Sequence, residues 1–178
     1  MALTKLSEKA VRTWFDKFRS NLPQNNEALE KLIQLDEAYF KNNSLFMGKQ
    51  IGTRKLAFEV IPQPYVAREH AWFFLQSNVK PDSQVNTDGS AIYKNIENWW
   101  PINHQNVDIH KKFEFQNTSE IEGMFGVLRT FIRRMYHHVS GDKLPEYVGE
   151  FCFRFSHPEM FENPRYYLEM SLSLVPTR

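Results

Sequence analysis

Leu32-Ile-Gln-Leu-Asp-Glu-Ala-Tyr-Phe40 alternates with a period of two, placing Ile33, Leu35, Glu37 and Tyr39 on one face and Gln34, Asp36, Ala38 and Phe40 on the other. This is the pattern of a β-strand with an acid in its middle. Asp is depleted in strand interiors and costly to bury alone, so Asp36 requires a compensating partner, for which a metal ion is one candidate. Working outward, Asn42-Asn43 predicts a turn, Ser44 to Lys49 a second strand, Gly52-Thr53 another turn and Arg54 to Ile61 a third strand, an antiparallel meander ended by Pro62 and Pro64. Val66 to Val79 then reads as a helix with Ala67, Ala71, Phe74 and Leu75 on one side. After the turn Lys80-Pro-Asp-Ser83, Gln84-Val-Asn-Thr-Asp-Gly89 predicts a short strand ending in an acid, a position from which sheets flanked by helices present acids to ligands. Ser90 to Ile96 reads as a short helix, Trp99 to His104 as a last strand, and His110 to Asn117 as a loop.

A longer helix follows. In Asn117-Thr-Ser-Glu-Ile-Glu-Gly-Met-Phe-Gly-Val-Leu-Arg-Thr-Phe-Ile-Arg-Arg134, the residues Ile121, Phe125, Leu128 and Ile132 form one apolar stripe, and Ser119 is placed to cap the N-terminus. Glu122 stands one place along from the stripe, where its carboxylate can lean over the edge of the surface beneath. Arg129 shares that face nearly two turns further on, roughly 10 Å away at about 1.5 Å per residue. A carboxylate and a cation in this arrangement suit a metal site beside a phosphate backbone; an ordinary amphipathic helix with solvated charges accounts for the same spacing. Asp142 to Phe155 predicts a further helix with Leu144, Tyr147, Val148, Phe151, Cys152 and Phe155 as its stripe, and Tyr166 to Leu174 a tail packed on the body. At the other end, Ser7 to Leu22 reads as a basic amphipathic helix, with Val11, Trp14, Phe15 and Phe18 at helical spacing and Lys9, Arg12, Lys17 and Arg19 around them. It resembles the second helix of a helix-turn-helix whose first helix would precede Met1, and packing on the main domain explains it equally well. Pro23 to Asn26 reads as a linker.

Composition narrows the function classes. The 178 residues suit one domain, and 22 basic against 21 acidic side chains, a formal charge of +1, exclude a strongly basic nucleic-acid coat while leaving room for a local basic patch. No apolar run is long enough to span a bilayer and Met1 to Ser20 does not resemble a secretory signal, so a soluble, cytoplasmic protein without a membrane partner is expected. Cys152, the single cysteine, has no internal disulfide partner and is expected to pack as a small apolar side chain. The six histidines lack the paired cysteines or spacing of a zinc site.

Three strands, a helix, a strand, a short helix, a short strand and then helices is the order of the RNase H-like fold: α/β, a mixed five-stranded sheet flanked by helices, here with a short N-terminal helical segment. In that order the first and fourth strands are neighbours and a late helix crosses them, so Asp36, Asp88 and Glu122 are expected to meet. Three converging carboxylates repel one another and raise their pKa values. They make sense around divalent cations, magnesium or manganese, two of which can activate an attacking oxygen and stabilise a leaving one at phosphorus.

Leu35-Asp-Glu-Ala-Tyr-Phe40, Asn86-Thr-Asp-Gly-Ser-Ala-Ile-Tyr93, Ile102-Asn-His104, Ser119-Glu-Ile-Glu-Gly-Met-Phe125, Tyr136-His-His-Val-Ser140 and Glu150-Phe-Cys-Phe-Arg-Phe155 resemble, in this order, the blocks of bacterial insertion-sequence transposases of the DDE class. The resemblance covers about residues 30 to 160. It implies a catalytic domain over residues 27–160, a basic segment (1–26) left from a helix-turn-helix, and a C-terminal tail (161–178) packed on the domain. It implies that Asp36, Asp88 and Glu122 are the metal-binding acids, holding two Mg2+ or Mn2+ ions for nicking at transposon ends and strand transfer into target DNA. It further implies a homodimer or larger assembly on DNA, in the bacterial cytoplasm and associated with the nucleoid. Arg129 matches a basic position beside the cut; His104 and the His137-His138 pair match positions suited to a polar or phosphate contact. Lys111, Lys112, Arg133 and Arg134, with Lys49, Arg54 and Lys55, are the further candidates for phosphate contacts. Glu120 is the rival to Glu122, but two residues is about 200° around a helix, so only one can face the acids of the sheet. Glu37 is the lesser rival to Asp36, on the opposite strand face.

Overall fold

A computed structural model of the chain describes residues 5–23, 27–107, 119–137 and 139–173. Strands β1 (Leu32–Phe40), β2 (Asn43–Gln50), β3 (Leu56–Ile61), β4 (Gln84–Asp88) and β5 (Asn103–Val107) make one five-stranded sheet in the order β3-β2-β1-β4-β5. The first three form the expected antiparallel meander, Asp36 facing Met47 and Phe46 facing Glu59 across the ladders. β4 then joins the free edge of β1 in parallel, with Gln34 opposite Asn86, and β5 adds in parallel to β4. Helices α1 (Glu8–Ser20), α2 (Arg68–Asn78), α3 (Ser119–Tyr136), α4 (Leu144–Ser156) and α5 (Pro164–Ser173) surround it. Among the described residues no helix is long and apolar enough to cross a membrane.

The alternation in β1 decides which residues meet which helix. Ile33 and Leu35 join Phe46, Ala71, Phe74, Leu75, Val85 and Tyr93 in a core on the α2 side of the sheet. Ala38, with Leu45 and Met47, joins Ile121, Phe125, Leu128, Val148, Phe151 and Cys152 on the α3 and α4 side. Burial of each Leu, Ile or Phe is worth about 1.5–3 kcal/mol, so a slip of one residue in β1 would exchange both faces and is strongly opposed. Gly48 lets α2 settle closely, since a Cβ there would come within 2.9 Å of Leu29 and 3.2 Å of Phe74. Cys152 is buried as an apolar side chain, as its surroundings in sequence suggested.

Several boundaries differ from the sequence expectations for local reasons. Asn43 is not in the turn but starts β2, buried, with Nδ2 donating to the Gly141 carbonyl at 3.3 Å. The expected helix from Ser90 to Ile96 is two 3-10 turns, Ala91–Tyr93 and Ile96–Asn98, separated at Asn95, which adopts the left-handed conformation at φ 60. β5 begins only at Asn103, because Trp99 and Trp100 still donate back to the Ile96 carbonyl and Pro101 has no amide to give a strand. α1 lies against α4 and α5 through a buried cation: Arg19 donates to Glu150 at 2.9 Å and to Asp16 at 2.8 Å, its guanidinium beside the adjoining Tyr136 and Tyr147 rings. Arg154 holds the other oxygen of Glu150 at 2.7 Å, and the Tyr136 hydroxyl donates to the oxygen that Arg19 engages.

Candidate active site

The paired residues of β1 and β4 run Leu32 with Gln84, Ile33 with Val85 and Gln34 with Asn86, and there the pairing ends. Asp36 and Asp88 stand two residues beyond that point, each on its own strand and each on the face that Gln34 and Asn86 share. This is the face covered by α3: the Gln34 side-chain oxygen accepts from the Ile121 amide at 3.0 Å, fixing the first turn of the helix over the end of the β1–β4 ladder. Asp36 accepts from the Glu37 amide at 2.8 Å, and Asp88 Oδ1 accepts from the Ser90 amide at 3.0 Å. Burial pushes the Asp36 carboxyl up to about 7; the Glu37 amide opposes this, while the nearby negative charges of Glu37, Asp88 and Glu122 add to it.

Helix geometry separates the two glutamates of α3. Glu120 turns to the β2 side, where it pairs with Lys49 at 2.5 Å. Glu122 lies about 200° from it around the axis, close enough for its charge to be felt at Asp36. Arg129 and Arg133, seven and eleven residues after Glu122, follow on about the same line of the helix, and both are exposed, as is Arg134 further round. Lys111 and Lys112 lie outside the described residues, as does His138. Lys49 is not available to a phosphate, being buried against Glu120 and donating to the Thr53 carbonyl at 3.3 Å. Lys55 pairs with Glu27 at 2.5 Å, and Arg54 lies over the Phe155 ring.

His104 does not stand where a DNA backbone would reach it. Its side chain is 5% exposed, Nδ1 lies 3.2 Å from Glu97 and Nε2 2.9 Å from Thr87 Oγ1, so both ring nitrogens are engaged within the protein. Burial lowers its pKa, with Glu97 acting the other way. Glu37 points to the α2 face, where the hydroxyls of Tyr93 and Tyr39 donate to it, and burial raises its carboxyl, with Asp88 adding. Gln34, Thr87 and Tyr93 are contributors that patterning alone did not reveal; only Gln34, on the Asp36 face of β1, carried a readable signal.

As placed, no three carboxylate, histidine or cysteine side chains among the described residues lie close enough to hold a metal ion together. The chemistry of the donor set nonetheless fits a divalent cation: Asp36, Asp88 and Glu122 offer hard carboxylate oxygens, and Asp36 carries an electrostatic penalty that a cation would relieve.

Residues 28–156, a span from ahead of β1 to the end of α4, match the ISXO2-like transposase domain. No curated protein matches. Among solved structures, the chain resembles the catalytic core domain of BIV integrase with a TM-score of 0.51 at 11% identity, covering 68% of this chain and 81% of that one. It resembles equally, with a TM-score of 0.51 and 11% identity, a chain of the simian T-cell lymphotropic virus intasome in complex with PP2A regulatory subunit B56 gamma, covering 75% of this chain and 52% of that one. The present chain thus spans about half the length of the intasome chain, and at such identities the likeness is one of fold. With a mixed five-stranded sheet in a fold that resembles an integrase core, and with most of its length matched, the chain belongs to the family of ISXO2-like transposase domains.

Proposed function

We propose that this chain is the catalytic domain of a DDE-class DNA transposase, which cuts at transposon ends and joins them to target DNA. The reading rests on one observation: Asp36, Asp88 and Glu122, from three separate elements, are presented on one face of the sheet at the point where β1 and β4 part. Asp36 and Asp88 are carried by rigid strands, and Glu122 by a helix whose start is tied to Gln34. Two Mg2+ or Mn2+ ions held there would supply activation of the attacking oxygen and stabilisation of the leaving one. Arg129, Arg133 and Arg134 lay the DNA backbone along α3, Lys111 and Lys112 are further candidates for phosphate contacts, and the assembly on DNA is a homodimer or larger. Residues 27–160 are the proposed catalytic unit, with α1 packed on α4 and α5, and a DNA substrate suits the bacterial cytoplasm at the nucleoid.

The test uses labelled DNA carrying the element's own ends with Mg2+. Nicked and joined products are expected from the parent and neither from Asp88→Asn, with DNA binding retained. Nicks without joined products would make the protein a nuclease of the same fold; DNA binding with no cleavage by the parent would make it a non-catalytic binding or assembly module.

A further inference from the structure

The side chains Thr87, His104 and Glu97 lie immediately behind Asp88 and belong to no ligand set. We propose that Thr87 and His104 are positioning residues for Asp88, holding the residue at which β4 leaves the sheet; this rests on the reading of Asp88 as a metal ligand. β4 alternates, so Gln84, Asn86 and Asp88 face α3 while Val85 and Thr87 face the other way, and Gln84 and Asn86 are hydrogen-bonded to each other at 3.3 Å along the first row. Thr87 is fully buried. Its Oγ1 lies 3.0 Å from the carbonyl oxygen of Asp88 and 2.9 Å from His104 Nε2, and His104 is held in turn at 3.2 Å by Glu97 of the second 3-10 turn.

Proton counting makes the three contacts one unit. A hydroxyl has a single hydrogen, so when Thr87 gives it to the Asp88 carbonyl, its own oxygen accepts from the Nε2–H of His104, and Nδ1 donates to Glu97 at the same time when the ring carries both protons, the form that burial opposes and the Glu97 carboxylate favours. The orientation of the Thr87 hydroxyl is therefore set by the imidazole, and the imidazole by Glu97. Asp88 needs such support because it is tied to one neighbour only: its backbone is in register with Val107 of β5, whereas the pairing with β1 has already ended at Asn86. The Ser90 amide on Asp88 Oδ1 closes the turn from the other direction. The carbonyl is thus anchored through Thr87 to β5 and to the connection after β4, so the Asp88 side chain leaves a fixed backbone. Metal-binding carboxylates held this way lose affinity when the supporting shell is removed, by about 10–100-fold.

The experiment measures Mn2+ affinity of the full chain by calorimetry, well below the unfolding midpoint, together with that midpoint. Thr87→Val is expected to weaken Mn2+ binding by about 10–100-fold, and Thr87→Ser, which keeps the hydroxyl, to restore it. Should Thr87→Val fail to fold, Glu97→Ala decides, because Glu97 is 42% exposed on its side chain and its loss releases His104 without opening the core; weakened Mn2+ binding is expected again. Parent-like affinity in the folded Thr87→Val, or in Glu97→Ala, while Asp88→Asn loses Mn2+, overturns the positioning role and leaves the ligand reading intact. Parent-like affinity in Asp88→Asn overturns the ligand reading itself, and the present proposal falls with it.

Discussion

Replacing Asp36 by asparagine should make the metal-free protein more stable at alkaline pH. Burial and three neighbouring carboxylates move this carboxyl from its ordinary 3.8 up to about 7. In the folded state the acid therefore holds a proton across a window in which the unfolded chain has released it. The stabilising contribution of the protonated form is complete below about pH 4 and is lost as the pH rises through about 7, so the parent chain weakens over that window. At 1.36 kcal/mol per pH unit, three units give about 4 kcal/mol as an upper bound, and partial solvent access at the cluster reduces this to about 2 kcal/mol. Asparagine keeps an oxygen to accept from the Glu37 amide at 2.8 Å but carries no charge. In urea titrations with a chelator present, Asp36→Asn should exceed the parent by about 2 kcal/mol at pH 8, roughly 4–8 °C in the thermal midpoint, and the difference should vanish by about pH 4. Mn2+ should raise the midpoint of the parent at pH 8 and leave that of Asp36→Asn nearly unmoved. A variant less stable than the parent at pH 8, or a gap of the same size at every pH, would refute the argument that Asp36 sits in an unneutralised acidic cluster.

Three further outcomes follow from the geometry. Glu150→Leu leaves Arg19 buried without its counter-charge and should cost about 3–5 kcal/mol in denaturant titrations, whereas Arg19→Met combined with Glu150→Leu should recover most of it; equal losses in both would show that the pair is not coupled. Glu122→Gln should remove Mg2+-dependent nicking, whereas Glu120→Gln, which strips the partner from Lys49, should lower the thermal midpoint and spare nicking; the reverse result would exchange the roles of the two glutamates. Arg129→Ala should weaken DNA binding about equally for all sequences and reduce the slope of log affinity against log salt by about 1, and an unchanged slope would remove Arg129 from the DNA path.

How much of this was legible depended on whether a residue's role was local. β1 was readable to its end residues because each of its faces meets a different core, so the alternation is enforced at every position. The order of elements, and with it the placing of Asp36 and Asp88 at the end of the β1–β4 pairing under α3, followed from periodicity together with family resemblance. The connection after β4 was misread because a helix and a pair of 3-10 turns share a pattern at so short a length, and Asn95 alone decides between them. His104, which makes the polar contact of its two readings, and Lys49, which is not open to a phosphate, were incompletely legible for a different reason. A basic side chain in sequence advertises only what it can donate, and its partner, here Thr87 and Glu97 for one and Glu120 for the other, is supplied by elements that the pattern does not place. Arg19 is the extreme instance, a cation on a basic amphipathic helix whose acid lies 131 residues away in α4.

The same distinction explains why the acids tolerate one another. A parallel pair of strands that stayed in register through Asp36 and Asp88 would set two carboxylates side by side under α3, with no water to screen them. Ending the β1–β4 pairing at Gln34 and Asn86 opens the sheet just ahead of them. The opening lets solvent reach Asp88 and Glu122, which leaves most of the burial on Asp36. It also removes the hydrogen bonds that would have held Asp88, and side chains from outside the strand pair take their place: Gln34 fixes the helix that carries Glu122, and Thr87 and His104 brace β4 from behind. A split sheet braced in this way keeps the three acids on one face without a cation at only a moderate loss of stability, and a cation drawing them together recovers that loss.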